Sequence, residues 1–186
     1  MRRGFKALTE RNAVAARQAL GLEPLARLDA FQYAKHLNVH VTEPKALGLS
    51  QASLHQLLVE DSDSWSALTL QDQGVSMIVI NSAHADTRQQ ADVMHELAHI
   101  ELGHAAARVD VSKSGVLLLS EYSDEQEQEA DWHAAAFLVP RDGILQMRSR
   151  QASTSEIASY YGVSEALCEW RIRMTGVDVQ MRRRSR

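Results

Sequence analysis

The stretch Val93-Met94-His95-Glu96-Leu97-Ala98-His99-Ile100 limits what this chain can be more than any other. Positions four apart on an α-helix sit only about 40° apart, because each residue turns the helix by about 100°. His95 and His99 therefore present two imidazoles on one face, one turn apart. Two ligands of a tetrahedral zinc ion need that arrangement. Glu96 lies between them, close enough to take a proton from an attacking water. Ala91 to Gly103 reads as the helix that carries the three, with Ala91, Met94, Leu97, Ala98 and Leu102 as its apolar members and Gly103 as a natural stop. The plain alternative is two histidines and a glutamate on a solvated helix.

A third ligand decides between the two readings. His104 is close in sequence but has the wrong spacing. The longer motif with a third histidine needs glycine at position 102 and histidine at position 105, and this chain has Leu102, Gly103 and His104. On a continued helix, five residues past His99 is about 500°, so His104 points away from the pair. It is expected to be a helix-end histidine beside the C-terminal carbonyls. The better candidate lies in Glu125 to Pro140, which reads as a second helix with acidic first turns, alanines, an apolar end and Pro140 as its stop. Glu127 and Asp131 are four apart and share a face. Glu127 as third ligand, with Asp131 orienting a ligand histidine through its other ring nitrogen, would suit a zinc site. A solvated acidic helix start is the alternative, and it is the expectation for Glu125 and Glu129.

At these residues the chain resembles the ImmA/IrrE metallopeptidases. Their pattern is H-E-L-x-H followed by E-x-x-A-[ND]-x-x-A-x-x-L-x-x-P. This sequence supplies His95-Glu96-Leu97-Ala98-His99, then Glu127, Ala130, Asp131, Ala134 and the ending Phe137-Leu138-Val139-Pro140. His133 stands where the family usually has phenylalanine, and Ala98 where glycine is commoner. Arg3-Gly4-Phe5-Lys6, Ala19-Leu20-Gly21-Leu22, Leu37-Asn38-Val39-His40-Val41 and Ile157-Ala158 to Val163-Ser164 are also similar to free-standing members, so the resemblance covers nearly the whole chain. It implies His95, His99 and Glu127 as metal ligands, Glu96 as general base and Asp131 behind the ligands. It also implies a substrate: a helix-turn-helix repressor protein, whose cleavage switches on the genes it silences.

The length of 186 residues allows one domain with a real core and a small appendage. A net charge of −4 gives no overall attraction to nucleic acid or membrane. No signal peptide and no apolar run of about 18 residues is visible, so no membrane role is expected. The single cysteine, Cys168, reads as a buried small hydrophobe in a cytoplasmic protein.

Along the chain, residues 5–20 read as a helix ended by Gly21, with Ala7, Leu8, Val14, Ala15, Ala19 and Leu20 as its apolar set. Asp29 caps a short helix from Ala30 to His36. Leu37 to Thr42 alternates like a half-buried strand, with Asn38 and His40 on its polar face. Ser50 caps a helix to Val59. Residues 66–70 and 75–80 form a hairpin around Gln71-Asp72-Gln73-Gly74. Asp86 or Thr87 is expected to cap the motif helix, and Arg88 to tie down the loop before it or to face a carboxylate. Val116 to Leu119, apolar without helical spacing, reads as a short extended piece or a loop plug. Tyr122 and His84 are candidates to stabilise an oxyanion; His133, about 120° from Glu127, is a weaker one. Ser153-x-x-Glu156 is a capping box, Gly162 turns the chain, and Ser164 caps a second helix through Met174, a helix-turn-helix-like pair. The second helix starts Glu165-Ala166-Leu167-Cys168-Glu169, which repels phosphate, so direct nucleic-acid contact is disfavoured against packing or substrate recognition.

The expected architecture is α+β: a zincin-like domain over 1–150 with a small antiparallel or mixed sheet, a helix-turn-helix-like appendage over 151–176, and a basic disordered tail over 177–186. The expected chemistry is metal-assisted peptide hydrolysis with zinc; a His/His/Glu set also admits manganese or iron. Two other classes remain open on the sequence. One is an antirepressor that acts by binding alone. The other is a DNA-binding regulator that uses residues 153–174.

Overall fold

The structure, a computed structural model, describes residues 1–72, 75–105, 108–111 and 117–184. In chain order the elements are α1 (Phe5–Ala19), α2 (Ala30–His36), β1 (His40–Thr42), α3 (Gln51–His55), β2 (Ala67–Asp72), β3 (Val75–Ile80), α4 (Asp86–Glu101), β4 (Arg108–Val111), β5 (Leu117–Glu121), α5 (Asp124–Leu138), α6 (Arg141–Ser149), α7 (Thr154–Tyr161), α8 (Glu165–Thr175) and α9 (Val177–Arg184). The fold is α+β, as expected. None of the described helices is long and apolar enough to cross a membrane.

A three-stranded sheet is mixed, in the order β1-β3-β2, and β4 and β5 pair antiparallel in a second sheet. β3 pairs parallel to β1 and antiparallel to β2, with Thr69 opposite Ile78. The central place of β3 follows from its apolar run: Ile78, Val79 and Ile80 are all buried. The hairpin forms, but β2 runs on to Asp72, so Gln71 and Asp72, expected in the turn, pair with Ser76 and Val75; Gln73-Gly74 lies outside the described residues. β5 takes up the expected extended piece from Leu117 onward, and Val116 lies outside the described residues. β1 is shorter than the expected strand. Leu37 closes α2, and Asn38 takes a left-handed φ of 56°, which asparagine tolerates and a strand does not. Asn38 and His40 therefore do not share a strand face.

α4 is the hub. It packs on α5, α2, β2 and β3, and buries Val93, Met94, Leu97 and Ala98. It starts earlier than the apolar pattern suggests, at Asp86, after an Ala85 cap with no side-chain hydrogen bond; neither Asp86 nor Thr87 is the cap. α5 lies along α4 and is almost wholly buried from Ala130 to Leu138, apart from Asp131. A capping box starts α5: the Ser123 hydroxyl accepts from the Gln126 amide, and the Gln126 side chain accepts from the Ser123 amide. The expected boxes and caps at Asp29, Ser50, Ser153 and Ser164 also form.

One core cluster joins Ala13 of α1, Met94 and Leu97 of α4, Phe137 of α5, Ile157 and Tyr161 of α7, and Cys168 and Ile172 of α8. The segment expected as a disordered tail is helical over residues 177–184. Val177 is buried in the same core, and Asp178 pairs with Arg148 at 3.2 Å. These two contacts, invisible in a run of arginines, anchor the helix that carries Arg182 and Arg183. The last two residues of the expected tail, Ser185 and Arg186, lie outside the described residues.

Tyr161 shows how close the packing is. A Cβ on Gly143 would lie 1.9 Å from its hydroxyl oxygen, so only glycine fits there. That hydroxyl donates to the Leu25 carbonyl at 3.0 Å, and burial pushes its pKa from 10.0 up to about 12. The folded state holds this proton more tightly than the unfolded chain. The stability it contributes is complete below pH 10 and is lost as pH rises from about 10 to about 12. At about 1.4 kcal/mol per unit, the loss is on the order of 2 kcal/mol. Urea unfolding between pH 9 and pH 12 should show it, and Tyr161→Phe should reduce the slope. Identical slopes in both proteins would refute the assignment.

Candidate metal centre

α4 and α5 bring three side chains together. His95 Nε2 lies 3.0 Å from His99 Nε2 and 3.1 Å from Glu127 Oε2; His99 Nε2 lies 3.7 Å from Glu127 Oε1. Candidate ligand atoms of these three all fall within 4.8 Å of one another, and no other such group occurs among the described residues. Ligand atoms bound tetrahedrally at about 2.0–2.1 Å stand about 3.3 Å apart, and the observed separations bracket that value. The two imidazoles face each other through Nε2, with their Nδ1 atoms turned to other partners. A cation between them is what that arrangement fits.

The partner of His95 Nδ1 is Asp131 Oδ1, at 3.1 Å, one turn along α5 from Glu127. The pattern Glu127-x-x-x-Asp131 thus puts one carboxylate on each nitrogen of His95. Burial lowers the pKa of His95, but the Asp131 hydrogen bond and the charges of Glu96, Asp131 and Glu127 outweigh it, so the net shift is upward. His99 is the opposite case. Burial, then its neighbours His95 and His104, push it down to about 3, so it is a neutral lone-pair donor near neutral pH.

Glu96 stands outside the three-residue cluster. The Thr69 hydroxyl on β2 donates to its carboxylate. Burial raises the Glu96 pKa, opposed by the Thr69 hydrogen bond and by His95. Thr69 is not legible in the sequence, because a lone threonine on a strand carries no signal until the strand is placed beside α4. Tyr122 stacks on the His99 ring with centroids 3.7 Å apart, over the site. Burial, then the charges of Glu96 and Glu127, raise its pKa, so its hydroxyl stays protonated as a donor.

The other candidates lie elsewhere. His84 is buried and sits among Asn81, the Ser62 carbonyl and Asp92, holding the loop before α4 rather than facing the cluster. Arg88 does both things expected of it: it donates to the Ser66 hydroxyl at 3.0 Å and faces Asp92 at 3.9 Å. His133 pairs with Glu101 at 3.0 Å and stacks on Phe137. Glu101 also accepts from Tyr33. His104 is not turned away from the pair: its Nδ1 lies 3.1 Å from His99 Nδ1. Nor is Glu129 a solvated carboxylate: its side chain is 7% exposed and faces His104. His104 does not follow the 500° rotation of a continued helix, because the helix ends before it. Gly103 takes a φ of 65°, and the chain doubles back.

A cavity of about 380 Å³ opens beside His95 and Asp131, lined also by Ala91, Ala134, Leu138 and, from α8, Leu167 and Trp170. No curated protein and no solved structure matches the chain significantly. The family model Peptidase_M78, IrrE N-terminal-like domain, matches residues 34–173. That span takes in α4, α5 and most of α8, and it is about three quarters of the chain. The chain belongs to this family, and it is a metallo-endopeptidase of the ImmA/IrrE kind.

Proposed function

We propose that this metallo-endopeptidase is zinc-dependent and cuts a peptide bond in a helix-turn-helix transcriptional repressor, so releasing the genes that repressor silences. The observation that carries the reading is the convergence of His95, His99 and Glu127, with the Glu96 carboxylate next to His95 on the same turn of α4. Two imidazoles and a carboxylate, with no thiolate, suit zinc and leave a fourth position for chemistry; manganese and iron share this ligand chemistry. When bound, the ion supplies Lewis acidity to the scissile carbonyl and to the attacking water.

The protein's own residues do the rest. Thr69 holds the Glu96 carboxylate; Glu96 takes the proton of the attacking water and delivers it to the leaving amine. Asp131 fixes His95 through Nδ1. Tyr122, stacked on His99, is assigned to donate to the developing oxyanion. β2 has β3 as its only partner in its sheet among the described residues, and Thr69 sits on it beside Glu96. An extended substrate segment adding to that edge would lie along the site. The cavity at Leu167 and Trp170 supports a substrate-recognition role for α8. The acidic start of α8 argues against DNA.

The test is cleavage of the helix-turn-helix repressor encoded beside this gene, with zinc, with a chelator, and with zinc restored after chelation. One discrete cut by mass spectrometry, lost and regained with the metal, is the expected result. An intact repressor in a stable complex, formed equally well after chelation, would favour an antirepressor that acts by binding alone.

A further inference from the structure

We propose that His104 and Glu129 form a buried relay that orients His99, so that one metal ligand is held by an imidazole backed by a carboxylate. They are positioning residues, and the proposal rests on the metal-centre reading above.

The relay starts in the backbone. α4 ends at Glu101, Gly103 adopts the left-handed conformation, and the His104 amide donates to the His99 carbonyl at 3.0 Å. This closes the helix and turns the His104 ring onto the ring of His99, edge to face, with centroids 5.0 Å apart. Tyr122 stacks on His99 as well, so the ring is fixed by two neighbours.

The proton inventory allows one arrangement. His99 Nε2 faces His95 and Glu127 and must present a lone pair to bind a metal. Its proton then sits on Nδ1, 3.1 Å from His104 Nδ1, which must accept it. His104 in turn carries its proton on Nε2, which points at Glu129 Oε2, 3.6 Å away. Donor and acceptor alternate without conflict from the carboxylate to the ligand nitrogen. The last gap is an ion-pair distance rather than a hydrogen bond, so Glu129 acts on His104 mainly through its charge.

Burial separates this relay from the support of the other ligand. The side chains of His104 and Glu129 are 6% and 7% exposed, whereas Asp131, which serves His95 directly, is 61% exposed. A buried carboxylate needs partners. Glu129 has the amide of Arg2 at 3.3 Å on one oxygen and His104 on the other.

The test is zinc affinity by competition with a chromophoric chelator, and the visible spectrum of the cobalt-loaded protein, for wild type, His104→Ala, His104→Asn and Glu129→Gln. Loss of a partner to a ligand histidine weakens metal binding by about 10–100-fold, and His104→Ala should fall in that range. His104→Asn should recover most of the loss, because its side-chain oxygen can take the acceptor place of Nδ1. Glu129→Gln should fall between them. Thermal unfolding of the metal-free proteins monitors packing; a purely structural role predicts no rescue by asparagine. Wild type that binds zinc, with His104→Ala binding it equally well, overturns the relay. So does asparagine behaving as alanine. Wild type that binds no zinc overturns the metal-centre reading itself, and the relay with it.

Discussion

Glu96→Gln is expected to lower the rate constant for peptide cleavage by about 10²–10⁴-fold, the range general-base catalysis contributes. Zinc affinity should stay within a few-fold of wild type, because Glu96 is outside the ligand cluster. Glutamine keeps the size of the side chain and its oxygen can still accept from Thr69, so local packing survives. What is lost is the basic oxygen that, in the proposed mechanism, takes a proton from water. Binding of the proposed repressor substrate should persist, since Glu96 is on α4 and not on the β2 edge proposed to receive it. Rapid-quench cleavage beside zinc titration separates the two quantities. A variant that cuts at the wild-type rate would place the base elsewhere. A variant that loses zinc would make Glu96 part of the metal site.

Most of the centre is legible in the sequence because helical periodicity holds wherever a helix runs unbroken. His95 and His99 share one unbroken helix, as do Glu127 and Asp131, and α4 and α5 bring the two pairs together. Periodicity fails where the chain departs from a helix, or where burial is decided by distant partners. It misplaces His104 because the five residues past His99 include a left-handed glycine. It misplaces Glu129 because only its tertiary partners bury it. The same holds in α1. Ala7, Leu8, Ala15 and Ala19, part of its apolar set by sequence, are exposed, and the buried stripe is Phe5, Thr9, Ala13, Ala16 and Arg17. Hydrophobicity alone points the helix the other way, because an arginine reads as solvent-facing until its acceptors are known.

Arg17→Ala is expected to lower the unfolding free energy by about 3–5 kcal/mol, a large part of the roughly 5–15 kcal/mol of a typical domain. The Arg17 side chain is fully buried. Its Nε donates to the Ala26 carbonyl at 2.7 Å, Nη1 to Ala13 at 2.8 Å and Nη2 to Phe137 at 2.6 Å. Phe137 is in the last turn of α5, where carbonyls have no partner within the helix. Arg171 does the same for Val139 at 3.1 Å, so two arginines clamp the end of the helix that carries Glu127 and Asp131. Burial lowers the Arg17 pKa from its ordinary value to about 10, which measures what it costs to keep the charge there, on the order of 3 kcal/mol. Removing the guanidinium recovers that cost. Against it stand the Ala26 and Phe137 carbonyls losing their donor, at about 1–3 kcal/mol each, and the cavity left by a large side chain, while Ala13 keeps its helical amide partner. The losses win because the acceptors belong to the backbone and cannot be mutated away with the charge. A buried ion pair differs, since both partners can be replaced by apolar groups at little cost. Arg17→Lys should recover little, since an ammonium lacks the planar fork that reaches three carbonyls at once. Arg17→Met should restore volume but no donor, and so isolate the carbonyl contribution. Urea unfolding of the metal-free proteins measures all three. If Arg17→Ala stays within about 0.5 kcal/mol of wild type, the scale of an ordinary surface substitution, water is satisfying the carbonyls and the clamp is not what holds the end of α5.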